Sequence, residues 1–131
     1  MTTVFVNGTF DVLHPGHIRL LQWAKALGTI LKVAIDSDRR IKEKKGQNRP
    51  FFEQSERTYM LQQLKSVSDV FVFDSDEELE DLIKNIQPDI MVVGSDWEGK
   101  KVIGSQYAKE LKFFQRDERY STTKILENKD K

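Results

Sequence analysis

The stretch V4-F5-V6-N7-G8-T9-F10-D11-V12-L13-H14-P15-G16-H17 joins a short apolar run to a polar turn that carries both histidines of the chain. The apolar run is typical of a buried strand, and I18-R19-L20-L21 indicates a helix directly after the turn. Gly8 permits a close backbone approach at the end of the strand. Free N–H groups and the positive end of the helix dipole favour an anion at such a junction. The stretch therefore predicts a phosphate-binding turn.

The rest of the chain alternates strand and helix patterns. Strands are predicted at 4–6, 30–35, 70–73, 90–93 and 111–114, and helices at 16–27, 53–65, 76–86 and 105–110. Ser75 with Glu78 predicts a capping box, and Gly28 suits the position after the first helix. Near-continuous apolar strands indicate burial on both faces. The prediction is an α/β fold with a Rossmann-like, doubly wound, parallel five-stranded sheet and helices on both faces.

Length and composition favour one domain. The chain has 131 residues, with 38% hydrophobic and 32% charged residues and no cysteine. We assign residues 1–126 to this domain and 127–131 to a frayed C-terminal tail. No apolar run is long enough to span a bilayer and no signal peptide is recognisable, so we expect a cytoplasmic protein without membrane contact.

Charge is balanced over the whole chain but uneven in one segment. Lysine plus arginine and aspartate plus glutamate number 21 each, which argues against a nucleic-acid-binding surface. Residues 39–49 carry six basic side chains against Glu43 and are predicted to be a loop at the carboxyl end of the second strand. Ligands of open α/β sheets bind at that end. The alternative is a solvated charged turn.

The histidines admit other interpretations. His17 could be a solvent-facing residue of the first helical turn and His14 an ordinary loop residue. Zinc is poorly supported, since no carboxylate lies at a recognisable ligand spacing.

Four segments resemble one enzyme family. G8-T9-F10-D11 and H14-P15-G16-H17 are similar to the GTFD and HxGH motifs of the cytidylyltransferases, within the nucleotidyltransferase superfamily. D96-W97-E98-G99-K100 and S121-T122-T123-K124-I125 resemble segments of glycerol-3-phosphate cytidylyltransferases. K45-G46-x-x-R49-P50 and S121-T122-T123 also resemble bacterial heptose-1-phosphate adenylyltransferases. The resemblance covers nearly the whole chain.

The resemblance implies a role for each motif. It implies transfer of a nucleotidyl group from a nucleoside triphosphate to a phosphate monoester, with release of pyrophosphate. The implied catalytic residues are His14, His17, Lys45 and Arg116. The implied nucleotide and phosphate contacts are Gly8, Thr9, Phe10, Lys42, Lys44, Asp96, Ser121, Thr122 and Thr123. The implied acceptor contacts are Asp11 and Arg57.

Several of these assignments have structural alternatives. Phe10 could simply pack, and Arg57 could pair with Glu53 on the helix surface. Trp97 could border the base pocket or simply pack. Ser121 to Thr123 could be only the N-cap of a short helix. Arg119 occupies a position where the family usually has glycine, which puts a positive-φ backbone there in doubt.

The leading hypothesis is CMP transfer from CTP to a polyol or sugar phosphate resembling glycerol 3-phosphate. The alternatives are an ATP-dependent adenylyltransferase acting on heptose 1-phosphate or a related sugar phosphate, and a nucleotide-binding module without catalysis. A flavodoxin-like interaction domain is a further class, but it would not require the two histidines. Mg²⁺ is the expected cofactor, held by the nucleotide phosphates with Asp96 as the nearby candidate contact, and no metal site formed by the protein itself is expected. A homodimer is expected, with aromatic contact candidates at Phe51, Phe52 and Tyr59, although their spacing also fits an internal helix face.

Overall fold

The protein is a three-layer α/β sandwich around a parallel sheet. The computed structural model describes residues 1–116 and 119–127. The strands are β1 (Thr3–Gly8), β2 (Ile30–Asp36), β3 (Asp69–Phe73), β4 (Ile90–Gly94) and β5 (Glu110–Phe114). The helices are α1 (Pro15–Ala26), α2 (Asp38–Lys45), α3 (Gln54–Gln62), α4 (Asp76–Ile86) and α5 (Thr122–Glu127), with 3-10 turns at Ser95–Trp97 and Ser105–Tyr107.

All strand pairs are parallel, in the order β3-β2-β1-β4-β5. The central strand β1 is apolar on both faces because each face packs against helices. Val4 and Val6 join the cluster that contains Leu21 of α1 and Leu61 of α3. Phe5 joins the opposite cluster, which contains Leu79 and Ile83 of α4. The predicted doubly wound sheet is confirmed.

Two predicted elements are wrong. Residues 105–110 contain only a 3-10 turn, and Glu110 already begins β5. The basic segment predicted as a loop contains α2, whose N-cap Ser37 accepts a hydrogen bond from the Arg40 N–H at 3.2 Å. Its lysines favour helix and lie in the last turn, where positive charge is stabilised by the helix dipole. The helix ends at Gly46, whose φ of 97° suits glycine.

The predicted position of Gly28 is confirmed, whereas the predicted capping box at Ser75 forms only in part. Gly28 follows the C-cap Leu27, but it is required for close approach rather than for positive φ: a Cβ there would lie 2.6 Å from the Thr2 carbonyl oxygen. The Ser75 hydroxyl accepts from the Glu78 N–H at 3.1 Å, as in a capping box. The Glu78 carboxylate instead accepts from the Asp74 N–H, so the box is half formed.

Helix α5 extends into the predicted C-terminal tail. Glu127 is the last residue of α5, and residues 128–131 of the predicted tail lie outside the described residues. No helix within residues 1–116 and 119–127 has the length and apolar character to cross a bilayer.

Candidate active site

The candidate site lies at the carboxyl ends of β1 and β4. Strand β2 pairs with one edge of β1 and β4 pairs with the other edge, so the strand order of the sheet reverses at β1. Open α/β sheets bind ligands in the crevice that such a reversal creates. Gly8 ends β1 and Gly94 ends β4. The turn with both histidines begins six residues after Gly8.

The two histidines cap α1 reciprocally. His14 is the N-cap, and its Nδ1 accepts from the Gly16 N–H at 3.1 Å. His17 is the third helical residue, and its Nδ1 accepts from the His14 N–H at 3.2 Å. The rings stack with centroids 3.7 Å apart. Because each Nδ1 accepts a hydrogen bond, each neutral ring carries its proton on Nε2. The capping geometry thus presents two Nε2–H donors from one turn.

His17 is neutral in the unliganded protein. Burial lowers its pKa to about 3, with further lowering from His14 and Arg116. Its Nε2–H can therefore donate to an anion without the cost of burying a positive imidazolium. An arriving polyphosphate would move the pKa in the opposite direction.

This low pKa predicts an acid-sensitive stability. In the unfolded chain His17 regains its ordinary pKa of 6.5, so between pH 6.5 and about 3 the unfolded state binds a proton that the folded state does not. The stability contributed by the neutral ring is therefore fully present above pH 6.5 and is lost as the pH falls toward 3. For His17→Gln we expect the loss between pH 7 and pH 5 to be smaller than in the parent by about 2 kcal/mol.

Urea unfolding at the two pH values measures this difference. Equal losses of stability in the parent and in His17→Gln would show that His17 does not titrate as described.

The GTFD turn is a packed backbone turn. Phe10 has a φ of 50° and is buried, with its ring centroid 5.3 Å from that of His17. A Cβ on Gly8 would lie 3.0 Å from the Phe10 ring. The Phe10 side chain is thus a core residue that supports His17, which is the packing alternative. Phosphate contacts from the backbone of Gly8, Thr9 and Phe10 remain predictions.

Asp11 is buried and bonds to the backbone, and its predicted acceptor contact stays a prediction. Its carboxylate is 1% exposed and accepts from the N–H groups of Phe51 and Phe52 at 2.6 and 3.0 Å. Its carbonyl oxygen accepts from the Thr122 hydroxyl at 2.5 Å. Asp11 therefore ties two distant segments to the end of β1, one before α3 and one at the start of α5.

Arg57 also has a structural role, and its predicted acceptor contact stays a prediction. Its side chain is 1% exposed, and its guanidinium donates to the carbonyl oxygens of Thr9, Asp36 and Phe52 at 2.8 to 3.0 Å. It forms an ion pair with Asp38 at 2.7 Å, rather than with Glu53 on the helix surface. An arginine with these partners positions the backbone at the ends of β1 and β2.

The late hydroxyl-rich turn lies against the histidine turn. The Tyr120 ring stacks over His14 at 6.0 Å, and a Cβ on Gly16 would lie 3.7 Å from Tyr120 Cβ. Arg119 is exposed, with its guanidinium 5.4 Å from the Tyr120 ring centroid. Tyr120 was not predicted as a site residue, because an aromatic next to S-T-T has no chemical signature in the sequence alone.

The hydroxyls of this turn already have protein partners. The Ser121 hydroxyl accepts from the Lys124 N–H at 3.0 Å and so caps α5. The Thr122 hydroxyl bonds to Asp11, as described, and the Thr123 hydroxyl accepts from Arg49 at 3.4 Å. The N-cap alternative is therefore observed for Ser121. Phosphate contacts from Ser121, Thr122 and Thr123 remain predictions.

The predicted cations differ in availability. Partial burial is the main cause that lowers the pKa of Lys45, and Arg49 and Arg116 lower it further. Lys42 donates to the Arg49 carbonyl oxygen at 3.2 Å. Lys44 instead lines a cavity at the end of β1 that is described below. The two lysines therefore contact different parts of the molecule.

Asp96 and Arg116 face each other at the end of β4. Their closest atoms are 3.8 Å apart, and both side chains are more than half exposed. A Cβ on Gly94 would lie 2.6 Å from the Asp96 carboxylate. Among the described residues, no cluster of three or more acidic, histidine or cysteine side chains could hold a metal. A single exposed carboxylate fits Mg²⁺ that is carried mainly by nucleotide phosphates, because Mg²⁺ keeps several water ligands.

Two cavities meet at residues 94–97. The first, about 460 Å³, is lined by Ser95, Asp96, Gln115, Arg116, Tyr120, Ser121 and Lys124. The second, about 410 Å³, has polar walls from Asn7, Thr9, Asp36, Arg40, Lys44 and Asp76, and apolar walls from Leu79, Val93, Trp97, Val102 and Ile103. Trp97 is 46% exposed and borders the second cavity.

The second cavity contains an ion-pair network that the sequence did not reveal. Arg40 donates to Asp36 at 2.9 Å and to Asp76 at 2.6 Å, and its guanidinium lies 5.2 Å from the Phe73 ring centroid. These residues come from α2 and from the ends of β2, β3 and α4. Arg40 and Asp36 are only four residues apart, but the parallel topology is needed to bring Phe73 and Asp76 to them, so no local motif indicated the whole network.

Comparison with known proteins gives one consistent family. The sequence model described as "Cytidylyltransferase-like" matches residues 5–128. The chain is 50% identical over 125 residues to "Bifunctional protein HldE" of Campylobacter fetus and 47% identical over 124 residues to that of Nitratiruptor sp.. These matches cover 95% of this chain but 27% of each relative, so the chain spans about a quarter of their length.

A solved structure agrees with this relationship. It is the lipopolysaccharide core biosynthesis protein from Thermoplasma volcanium, with a TM-score of 0.72 and 25% sequence identity over 89% of this chain and 99% of that one. The family match, the relatives and the histidine turn at the sheet reversal together identify the kind of enzyme. The chain belongs to the cytidylyltransferase-like family and is a nucleotidyltransferase domain.

Proposed function

We propose that this domain transfers AMP from ATP to the phosphate of heptose 1-phosphate or a closely related sugar phosphate. The observation that carries nucleotidyl transfer is the histidine pair, whose stacked rings are fixed as Nε2–H donors beside the Tyr120–Ser121 segment. The choice of ATP and heptose is carried by the relatives named HldE, at 45–50% identity, and by the K45-G46-x-x-R49-P50 resemblance. CMP transfer to glycerol 3-phosphate has weaker support, because it rests on D-W-E-G-K and S-T-T-K-I alone.

The reaction needs charge stabilisation more than proton transfer. A phosphate oxygen of the acceptor attacks the α-phosphorus of the nucleotide and forms the new P–O bond. The bond from the α-phosphorus to the bridging oxygen breaks, and pyrophosphate leaves with that electron pair. The acceptor phosphate is already anionic near neutral pH, so no general base is required. Positioning and anion-stabilising donors supply the rate enhancement.

We assign the nucleotide to the cavity lined by Asp96, Arg116 and Tyr120. Arg116 would contact phosphate oxygens there, and Asp96 could orient Mg²⁺-bound phosphate. Mg²⁺, when bound, would neutralise charge on the triphosphate. The histidines would hold the phosphates between this cavity and the acceptor.

We assign the acceptor to the second cavity, which lies against Gly8 and Thr9. Its carboxylates, Asp36 and Asp76, keep unshared acceptor positions beside the ion pairs to Arg40, and Asn7 adds an amide. Carboxylates and amides are the usual partners of sugar hydroxyls. The apolar wall that includes Val102 suits the carbon skeleton of a sugar. Lys44 would then meet the acceptor phosphate.

A substrate matrix tests the proposed function. ATP and CTP are each incubated with Mg²⁺ and with a heptose 1-phosphate or glycerol 3-phosphate, while pyrophosphate is followed and products are identified by mass spectrometry. We expect turnover only with ATP and the heptose. Turnover with CTP and glycerol 3-phosphate would restore the first sequence hypothesis, and nucleotide binding without turnover across the matrix would favour a non-catalytic module. Omission of Mg²⁺ should abolish turnover.

Lys44→Gln tests the acceptor cavity. We expect the KM for the sugar phosphate to rise about 10-fold, as for the loss of one charged contact, with little change in the KM for ATP. Lys84→Gln is the matched control, since Lys84 is exposed at the far end of α4. A rise in the KM for ATP alone would place Lys44 on the nucleotide side instead.

The homodimer remains a prediction. Phe51 and Tyr59 are each 61% exposed and thus are not an internal helix face, whereas Phe52 is partly buried. Light scattering at several protein concentrations would determine the oligomeric state.

A further inference from the structure

Arg49 is a largely buried cation with poor hydrogen bonding. Its side chain is 12% exposed, and its Nε has no hydrogen-bond partner in the described part of the chain. Among the described residues, its side chain makes two long polar contacts: 3.4 Å to the Thr123 hydroxyl and 4.0 Å to the Glu127 carboxylate. A buried donor without a partner is costly and rare, so its retention calls for an explanation.

The position of Arg49 is fixed by Asp11. The Asp11 carboxylate holds the backbone of Phe51 and Phe52, and its carbonyl oxygen holds Thr122. Arg49 precedes the first of these segments and Thr123 continues the second. The end of β1 thus brings the guanidinium and the late turn together. Because Asp11 is buried, this arrangement is part of the fold.

Arg49 is one of two arginines close enough to lower the pKa of Lys45, the other being Arg116. Asp36 and Asp11 act on Lys45 as opposite charges. Of these two carboxylates, Asp36 is already in an ion pair, and both Asp11 oxygens accept from backbone N–H groups. Cations gathered in this way are stabilised further by an anionic ligand.

We propose that Arg49 is a phosphate-contacting residue that binds the pyrophosphate part of the nucleotide, together with Lys45. The guanidinium turns from its long contact with Thr123 to the β- and γ-phosphate oxygens, where it forms a bidentate pair. The same contact stabilises the leaving pyrophosphate. This inference rests on the nucleotidyl transfer proposed above, but not on the identity of the base or the acceptor.

The test compares ligands that differ in their phosphates. Calorimetry would measure binding of inorganic pyrophosphate, Mg²⁺-ATP and AMP to the parent chain, Arg49→Gln and Arg49→Lys. For Arg49→Gln we expect binding of pyrophosphate and ATP to weaken about 10- to 100-fold, and AMP binding to change less than about 2-fold. Arg49→Lys should retain part of the affinity, because it keeps the positive charge but loses the paired N–H groups of the guanidinium that bind phosphate in a bidentate manner. Arg39→Gln is the control, since Arg39 is an exposed arginine of α2 paired with Asp74 and Glu43.

Each outcome decides the proposal. A loss confined to pyrophosphate and ATP supports it, even if no sugar phosphate proves to be a substrate. Unchanged affinities, or equal losses for AMP and pyrophosphate, would overturn it and leave Arg49 as a residue that only holds α5. If Arg49→Gln does not fold, the same comparison is made with Arg49→Lys, where wild-type binding of pyrophosphate together with weakened AMP binding would overturn it.

Discussion

His14→Asn and His17→Gln are expected to lower kcat by about 100-fold or more each while leaving the protein folded. Asparagine is a good N-cap, and glutamine at the third helical position can complete a capping box, so both variants keep the hydrogen bonds that start α1. Both lose the imidazole Nε2–H that we assign to the phosphates. The expected loss is the usual cost of deleting one donor to transition-state charge. Initial rates of pyrophosphate release and thermal unfolding measure the two effects separately.

The alanine variants provide the comparison. His14→Ala and His17→Ala should lose the same activity and, in addition, stability of about 1 kcal/mol from the missing cap. If asparagine and glutamine restored turnover to the wild-type rate, the histidines would serve only as caps and the catalytic assignment would be wrong.

Arg57→Met is expected to destabilise the fold by about 3 to 5 kcal/mol, which is the range for removing one partner of a buried ion pair. The substitution leaves Asp38 without its cation and three carbonyl oxygens without their donor. Because domains of this size are stable by only about 5 to 15 kcal/mol, the unfolding temperature should fall by 10 °C or more, on the order expected for this size. Urea and thermal unfolding would measure the change.

Kinetics separates this role from substrate binding. At a temperature where Arg57→Met is folded, we expect the KM values for nucleotide and acceptor to change together, since Arg57 holds the Thr9 backbone. An unchanged stability with a raised KM for the acceptor alone would return Arg57 to the acceptor site.

The layered sheet could be predicted because its signals are local. Apolar strands such as residues 90–93 and amphipathic helices such as α4 carry their periodicity within one segment. The prediction of a loop at residues 39–49 failed because the charge of α2 obscured its helix signals, namely the Ser37 cap and Gly46 after the last turn. A charged surface helix with one buried apolar residue, Ile41, has little hydrophobic periodicity to recognise.

The same distinction between local and long-range contacts applies to the candidate site. The position of the histidine turn at the start of α1 could be predicted because its capping hydrogen bonds join neighbouring residues, whereas the phosphate contacts of both rings stay a prediction. The family resemblance implies acceptor contacts for Asp11 and Arg57, but it does not reveal that both are buried by contacts from segments about 20 to 110 residues away. Arg49 and the Arg40 network were missed for the same physical reason. Whether a charged side chain stabilises the fold or contacts a ligand depends on partners that are distant in the sequence.

Nitrogen NMR of the protein labelled in its histidines tests the central claim most directly, because it reports the protonation of each ring nitrogen. Near neutral pH we predict that His17 is neutral with its proton on Nε2, and that adding a non-hydrolysable Mg²⁺-ATP analogue shifts the Nε2 resonances of both His14 and His17. A proton on Nδ1 of His17 in the free protein, or ring resonances that do not move when the analogue is bound, would contradict the account.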